Sequence, residues 1–345
     1  MKQFMYETEN TKIWQQVYDN LADDLSREIY LARSLYSLTC DRDHLKDIIR
    51  KMPLSLALRS QTAQHFDSKL ALVGAGDWAN YILRFFPEIH WDYIADNFKA
   101  GSDFHQNPVI TPEDLYQRTK GESVYIVVSV LFGYHAIVKQ LTDLGFRQDQ
   151  ILSLGEITYR HQYFDLEAIH FNRNEVFLDI GALDGSTSRR FAEVTKNQYK
   201  EILCFEPNKE SYEICQHNLR DLHDVTVLNK GASDQTGLAS MSGSGGGANI
   251  LLSSSNSETI ETTRIDDVCK EASYIKMDIE GVELDALHGA AQLISSHRPK
   301  LAISVYHLRT DIWTIPQFLI SLHPDYRLYL RMYSLKGNDV VLYAL

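Results

Sequence analysis

Val176-Phe177-Leu178-Asp179-Ile180-Gly181-Ala182-Leu183-Asp184-Gly185 is a short apolar run that stops on a glycine-containing turn. A helix-like stretch, Ser186–Val194, follows it, and this order reads as a strand feeding a helix. The unit repeats downstream. Ile202–Phe205 is a second strand, ending at Glu206-Pro207, with a helix over Lys209–Leu219 after it. Val225–Leu228 is a third strand, and Ser273–Met277 a fourth that ends in Asp278 before a helix over Gly281–Ile294. Leu301–Tyr306 is a fifth, ending at His307. Tyr326–Tyr333, the polar Lys336-Gly337-Asn338-Asp339 and Val340–Tyr343 read as strand, turn and strand. Alternating strands and helices closed by a hairpin predict an α/β fold, its sheet parallel with an antiparallel edge.

A smaller alternation precedes this one. Leu70–Val73 is an apolar run ending in Gly74-Ala75-Gly76-Asp77-Trp78-Ala79, a GxGxxA variant, with a helix-like Tyr81–Phe86 after it. Trp91–Ala95 ends in Asp96, 20 residues after Gly76. Val124–Val130, a helix around His135–Leu144 and Ile151–Leu154 complete a second Rossmann-like domain over residues 67–160. A glycine loop with a carboxylate at that offset suits a nucleotide-type ligand at Gly74, Gly76 and Asp96. Residues 1–66 show three-to-four spacing (Ile13, Trp14, Val17, Tyr18, Leu21) and read as a helical arm that packs on its own chain or on a sister subunit. The catalytic domain is expected over 165–345. One stretch breaks the alternation: residues 240–257, SMSGSGGGANILLSSSNS, read as a mobile loop or a substrate-covering lid.

Composition narrows the function. The chain has 345 residues, 44% hydrophobic and 23% charged, as in an ordinary globular protein. The net charge of −12 divides evenly, −6 on either side of residue 175, so no basic half exists to track a phosphate backbone and no nucleic-acid partner is expected. Four cysteines (Cys40, Cys204, Cys215, Cys269) lack CxxC or metal-like spacing and read as reduced thiols of a cytoplasmic protein. The longest apolar stretch, Tyr125–Val138, is too short to span a bilayer.

In an open α/β sheet, ligands bind outside the carboxyl ends of the strands. Those ends here carry Asp179, Gly181, Asp184 and Gly185, then Glu206, then Ser233 and Asp234, then Asp278 and Glu280, then His307. Gly181 and Gly185 are expected to let a ligand approach the backbone. Glu206, 25 residues after Gly181, suits two ribose hydroxyls. Asp184 stands where a pyrophosphate would lie; it repels phosphate and suits an ammonium or sulfonium group. That favours S-adenosylmethionine over a nicotinamide dinucleotide. Asp278 and Glu280, two apart, share a face if the strand persists. His307 is a candidate general base, with Asp278 or Glu280 next. Asp278, Glu280 and His307 could also hold a divalent cation, but no spacing motif supports one and no metal is expected.

DIGALDG, FEP, IKMDIEGVELDALHGA and PKLAISVYH together resemble the FkbM-type S-adenosylmethionine-dependent methyltransferases over roughly residues 165–345. The resemblance implies a seven-stranded methyltransferase sheet and methyl transfer to a hydroxyl of a sugar, glycan intermediate or natural product. It places cofactor contacts at Asp179, Gly181 and Asp184, the ribose at Glu206, and the adenine near Ser233 or Asp234. The first Rossmann-like domain resembles nucleotide-sugar-binding modules that precede some of these enzymes. Two other readings stay open: an NAD-dependent oxidoreductase using the Gly74–Asp96 domain, and a non-catalytic scaffold in glycan biosynthesis.

Overall fold

A computed structural model describes residues 9–242, 249–250 and 258–345. The chain divides into two compact units. The smaller is Arg42–Gln162 with Met332–Asn338; the larger is Met1–Asp41, Tyr163–Arg331 and Asp339–Leu345. The helices expected over 1–66 are divided between them. Glu9–Asn20 and Asp24–Thr39 fall in the larger unit, Lys46–Lys51 and Pro53–Gln64 in the smaller. Local chemistry starts two of these helices. The Asp23 carboxylate accepts from Ser26 N at 2.7 Å, and Pro53 occupies the first turn, where a missing N–H costs nothing.

The smaller unit holds strands β1 (Lys69–Val73), β2 (Tyr93–Ala95), β3 (Asp103–Phe104), β4 (Asn107–Ile110), β5 (Val124–Val128) and β6 (Ile151–Ser153). Their order is β3-β4-β2-β1-β5-β6, parallel throughout except for the β3–β4 hairpin. Every residue of β5 is buried, which explains why Val124-Tyr125-Ile126-Val127-Val128 is apolar without alternation. Ala71, Val73, Ile126 and Val128 pack with Leu115 and Leu141 of the flanking helices. The β3–β4 hairpin and the helix Pro112–Arg118 lie where the sequence showed no clear periodicity.

In the larger unit the strands are β7 (Val176–Ile180), β8 (Glu201–Phe205), β9 (Val225–Leu228), β10 (Gly231–Ala232), β11 (Gly237–Ser242), β12 (Asn249–Ile250), β13 (Glu258–Thr263), β14 (Tyr274–Met277), β15 (Lys300–Ser304), β16 (Leu328–Met332) and β17 (Val340–Ala344). Seven form the main sheet in the order β16-β17-β15-β14-β7-β8-β9. The five from β15 to β9 are parallel, and β17 runs antiparallel to β15. Arg327 and Leu345 exchange backbone hydrogen bonds of 3.0 and 3.1 Å, so β16 closes the expected hairpin. The α/β class, the parallel order and the antiparallel edge agree with the sequence reading.

Three expectations are corrected. The helix expected over Gly281–Ile294 is two, Glu283–His288 and Ala291–His297, because Gly289 packs directly against the Ser233 carbonyl. The Gly/Ser stretch is flanked by a separate four-stranded sheet, β10-β13-β11-β12, to which it contributes the end of β11 and all of β12. Residues 243–248 and 251–257 of that stretch lie outside the described residues. A further helix, Asp311–Leu322, follows β15 and buries Ile312, Ile315 and Leu319. Beneath the main sheet's strand ends lies an aromatic cluster, with Phe177 stacked on Phe191 (centroids 4.4 Å apart) and on Tyr274 (5.3 Å). These rings pack together at the amino ends of β7 and β14. No helix among the described residues is long and apolar enough to cross a membrane.

Candidate active site

The loop after β7 is built from inside the protein. Asp179 is fully buried: Ser188 Oγ donates to its Oδ2 at 2.7 Å, and the Lys276 ammonium stands 3.0 Å from Oδ1. Lys276 Nζ also donates to the Gly181 carbonyl at 2.7 Å, so the buried pair pins the loop. Burial opposes the Lys276 charge, but Asp179 and Asp278 overcome it and hold its pKa up. Asp179 thus acts under the loop rather than on its outer face.

The two glycines of the loop are tightly packed. Gly181 has φ +82°, and a Cβ there would stand 2.0 Å from the Asp278 carbonyl oxygen. At Gly185 (φ +80°) a Cβ would meet Leu219 Cγ at 2.9 Å. Both positions need glycine because the protein itself crowds them. The consequence is useful: the loop after β7 touches the end of β14.

Glu206, at the end of β8, holds the loop from its other side. Its Oε2 accepts from Leu183 N at 2.9 Å, and its Oε1 from Asn208 N at 2.9 Å. Burial raises its pKa against those two hydrogen bonds. Asp184 is half-buried and accepts from Ser186 N at 3.0 Å, at the start of the helix Ser186–Val194. Ser233 and Asp234 follow β10, in the smaller sheet; Ser233 Oγ donates to Asp234 Oδ1 at 3.2 Å. Glu206, the loop after β7 and Asp278 are therefore linked contact by contact, while the Ser233 carbonyl packs against Gly289.

At the end of β14 the strand does not persist. It stops at Met277, and Glu280 (φ +62°) and Gly281 (φ +103°) turn the chain back. Asp278 and Glu280 therefore do not share a strand face, yet the turn brings both to His307. Its Nε2 lies 3.5 Å from Asp278 Oδ1 and 3.4 Å from Glu280 Oε2. Its Nδ1 is 2.8 Å from Glu283 Oε1. Glu283 is buried and also accepts from Ile279 N (2.8 Å) and Gly281 N (3.0 Å), so one carboxylate shapes the turn and orients the imidazole. Asp278 accepts from Tyr163 Oη at 2.8 Å and from Tyr306 Oη at 3.2 Å. Glu280 makes no hydrogen bond among the described residues.

The charges follow from this packing. Burial would lower the pKa of His307, but the hydrogen bond to Glu283 and the charges of Glu283, Asp278 and Glu280 push it up to about 9. Burial, together with the charges of Asp278, Glu283 and Asp339, raises Glu280 against the pull of His307. Asp311, from the helix after β15, is pushed up to about 6 by burial. Asp278, Glu283 and His307 each offer an atom within 4.8 Å of the others, a spacing open to a divalent cation. The hydrogen bonds already made by Asp278 and Glu283 commit them to donors of the protein's own.

Glu283, Tyr306 and Tyr163 were not singled out from sequence. For Glu283 a signal existed: an acid in the first turn of a helix, just after a glycine turn, folds back on that turn. Tyr163 gave none, since it meets Asp278 across 115 positions of chain. In the smaller unit, Asp96 Oδ2 accepts from Ala75 N (2.8 Å), and Oδ1 from Phe98 N (2.8 Å) and Lys99 N (3.0 Å). These bonds, with Gly74 at φ +102°, describe a carboxylate that braces its own loops.

Residues 179–336 match the family model of the methyltransferase FkbM domain. The chain is 28% identical to the 2-O-methyltransferase NoeI of Sinorhizobium fredii over 36% of its own length, and spans 60% of that relative. The crystal structure of a methyltransferase FkbM from Methylobacillus flagellatus KT superposes with a TM-score of 0.51 at 19% identity, covering 93% of this chain and 99% of that one. That likeness is one of fold. Residues 179–336 therefore match the methyltransferase FkbM domain, and the chain shares the fold of a methyltransferase FkbM.

Proposed function

We propose that the larger unit transfers a methyl group from S-adenosylmethionine to a hydroxyl oxygen of a sugar, glycan intermediate or other small molecule. The observation that carries this reading is the linked edge of Glu206, the Gly181 loop and the Asp278–Glu280–His307 cluster. Glu206 would hold the ribose, on lone pairs left free by Leu183 N and Asn208 N. Asp184 would face the cationic end of the cofactor. Bound there, S-adenosylmethionine would supply a methyl group already activated on a sulfonium centre. The protein must then orient a hydroxyl, accept its proton and exclude water.

Glu280 suits the proton acceptor better than His307. His307 keeps its proton up to about pH 9, so at neutral pH it is a donor and a counter-charge. Asp278 already takes two phenol donors. Glu280 is half-buried, has a raised pKa and makes no hydrogen bond among the described residues, with His307 Nε2 3.4 Å away. A carboxylate whose pKa is raised toward the working pH accepts a proton more readily in the transition state. His307 would steady the charge on Glu280 until the hydroxyl proton arrives. The surrounding carboxylates favour a neutral or amine-bearing acceptor over a phosphorylated one. Residence in the cytoplasm and self-association through the helical segments belong to the same proposal.

The test is methyl transfer from radiolabelled S-adenosylmethionine to a panel of glycosides, sugar phosphates and free sugars. Label entering neutral glycosides supports the reading. Retention of all label in S-adenosylmethionine, with no binding of S-adenosylhomocysteine, overturns it and leaves the scaffold reading. The match over residues 179–336 favours methyl transfer over the oxidoreductase alternative.

A further inference from the structure

We propose that Tyr163 is a positioning residue of the transfer centre: its left-handed, doubly anchored backbone directs its hydroxyl onto Asp278 and fixes the carboxylate beside His307. This rests on the function proposed above. Tyr163 has φ +71°, a conformation costing a bulky L-residue about 1–2 kcal/mol unless its surroundings impose it. Here two buried tyrosines impose it. Tyr163 N donates to Tyr343 Oη at 3.0 Å, and Tyr274 Oη donates to the Tyr163 carbonyl at 2.5 Å. Its own ring is buried, with the Lys276 ammonium 5.6 Å from the ring centroid.

What the anchoring achieves is visible at Asp278. Tyr163 takes Oδ2 at 2.8 Å and Tyr306 takes Oδ1 at 3.2 Å, so the carboxylate is held at both oxygens. Burial and the Asp278 charge keep the Tyr163 phenol protonated, hence always a donor. A carboxylate held at both ends cannot swing onto the imidazole. His307 Nε2 stays 3.5 Å from Asp278 and 3.4 Å from Glu280, balanced between the two. A buried tyrosine serving only the core would need some hydrogen-bond partner, but not a strained backbone to reach this one.

The test follows the His307 imidazole by NMR titration of the full chain, with His307→Gln to assign its signal. In wild type His307 titrates at about 9. In Tyr163→Phe, Asp278 loses a donor and closes on Nε2, so the titration moves upward by roughly half a pH unit or more. Tyr326→Phe removes another buried phenol, the donor to the Pro299 carbonyl at 2.8 Å, and leaves the titration unmoved. If Tyr163→Phe does not fold, Tyr343→Phe, which frees the Tyr163 N–H, gives a smaller shift of the same sign. An unmoved titration in both, or an equal shift in Tyr326→Phe, overturns the proposal. With a transferring acceptor, Tyr163→Phe lowers kcat about tenfold at nearly constant KM, the loss of one hydrogen bond to a charged group. The titration needs no turnover. Failure of wild type to bind S-adenosylhomocysteine would therefore refute the functional reading separately.

Discussion

The two parallel sheets are built alike up to one strand end. In the smaller unit the central order is β4-β2-β1-β5-β6, and in the larger it is β9-β8-β7-β14-β15. At the end of the second strand each places a carboxylate, Asp96 or Glu206. Each accepts an N–H from the loop after the first strand, Ala75 at 2.8 Å or Leu183 at 2.9 Å. Beyond that they part. Asp96 takes two more backbone donors from its own loop, and the Lys99 ammonium returns onto the Ala75 carbonyl at 2.6 Å. Beside the first loop of the smaller unit stands Ser129, donating to the Gly74 carbonyl at 2.7 Å. Beside the first loop of the larger unit stands Asp278, with Glu280, Glu283 and His307 around it. The brace under the glycine loop thus belongs to the scaffold, while the titratable centre is added to one sheet only.

The largest effect expected from that difference is chemical. Glu280→Gln should lower methyl transfer by about 10²–10⁴-fold while S-adenosylhomocysteine affinity stays within threefold, as steady-state rates and calorimetry would show. Equal losses of both would mean that Glu280 serves binding, and the contrast between the sheets would weaken. Next come the loops. Gly181→Ala should cost roughly 3 kcal/mol or more in denaturant unfolding, because backbone and φ both forbid a Cβ.

The third effect is electrostatic and needs its sign stated. His307 has a folded pKa of about 9 against an ordinary 6.5. Its contribution to stability is fully present below pH 6.5 and disappears as pH rises through 9, about 3 kcal/mol in all. Denaturation profiles should fall over that window in wild type and be flatter in His307→Gln. The smallest effect is expected in the smaller unit. Gly76→Ala meets no atom within 4 Å at a negative φ, and replaces only an N-cap glycine, so it should cost no more than about 1 kcal/mol.

Much of this fold was legible because parallel strands buried on both faces write themselves as unbroken apolar runs. The fully buried β7 falls where the sequence placed it, as do the partly exposed edge strand β9 and the helices Ser186–Val194 and Lys209–Leu219. What escaped was short or set by distant contacts. β10 has two residues, and β3 two, too few for any periodicity. The break at Gly289 depends on Ser233, 56 positions away. Asp278, Glu280 and His307 were readable as strand-end polar residues. Their actual arrangement was not, because it depends on two successive positive-φ residues and on Glu283 folding back. What the sequence alone did not show at DIGALDG is the crowding by β14 and by Leu219 that requires glycine there.

In the function proposed, the larger sheet, and not its smaller counterpart, binds the cofactor at its strand ends. Calorimetric titration with S-adenosylhomocysteine tests this on wild type, Glu206→Ala and Asp96→Asn. The account predicts saturable binding to wild type, at least tenfold weaker binding to Glu206→Ala, and binding to Asp96→Asn within twofold of wild type. No binding to wild type, or a loss in Asp96→Asn that Glu206→Ala does not share, would contradict it.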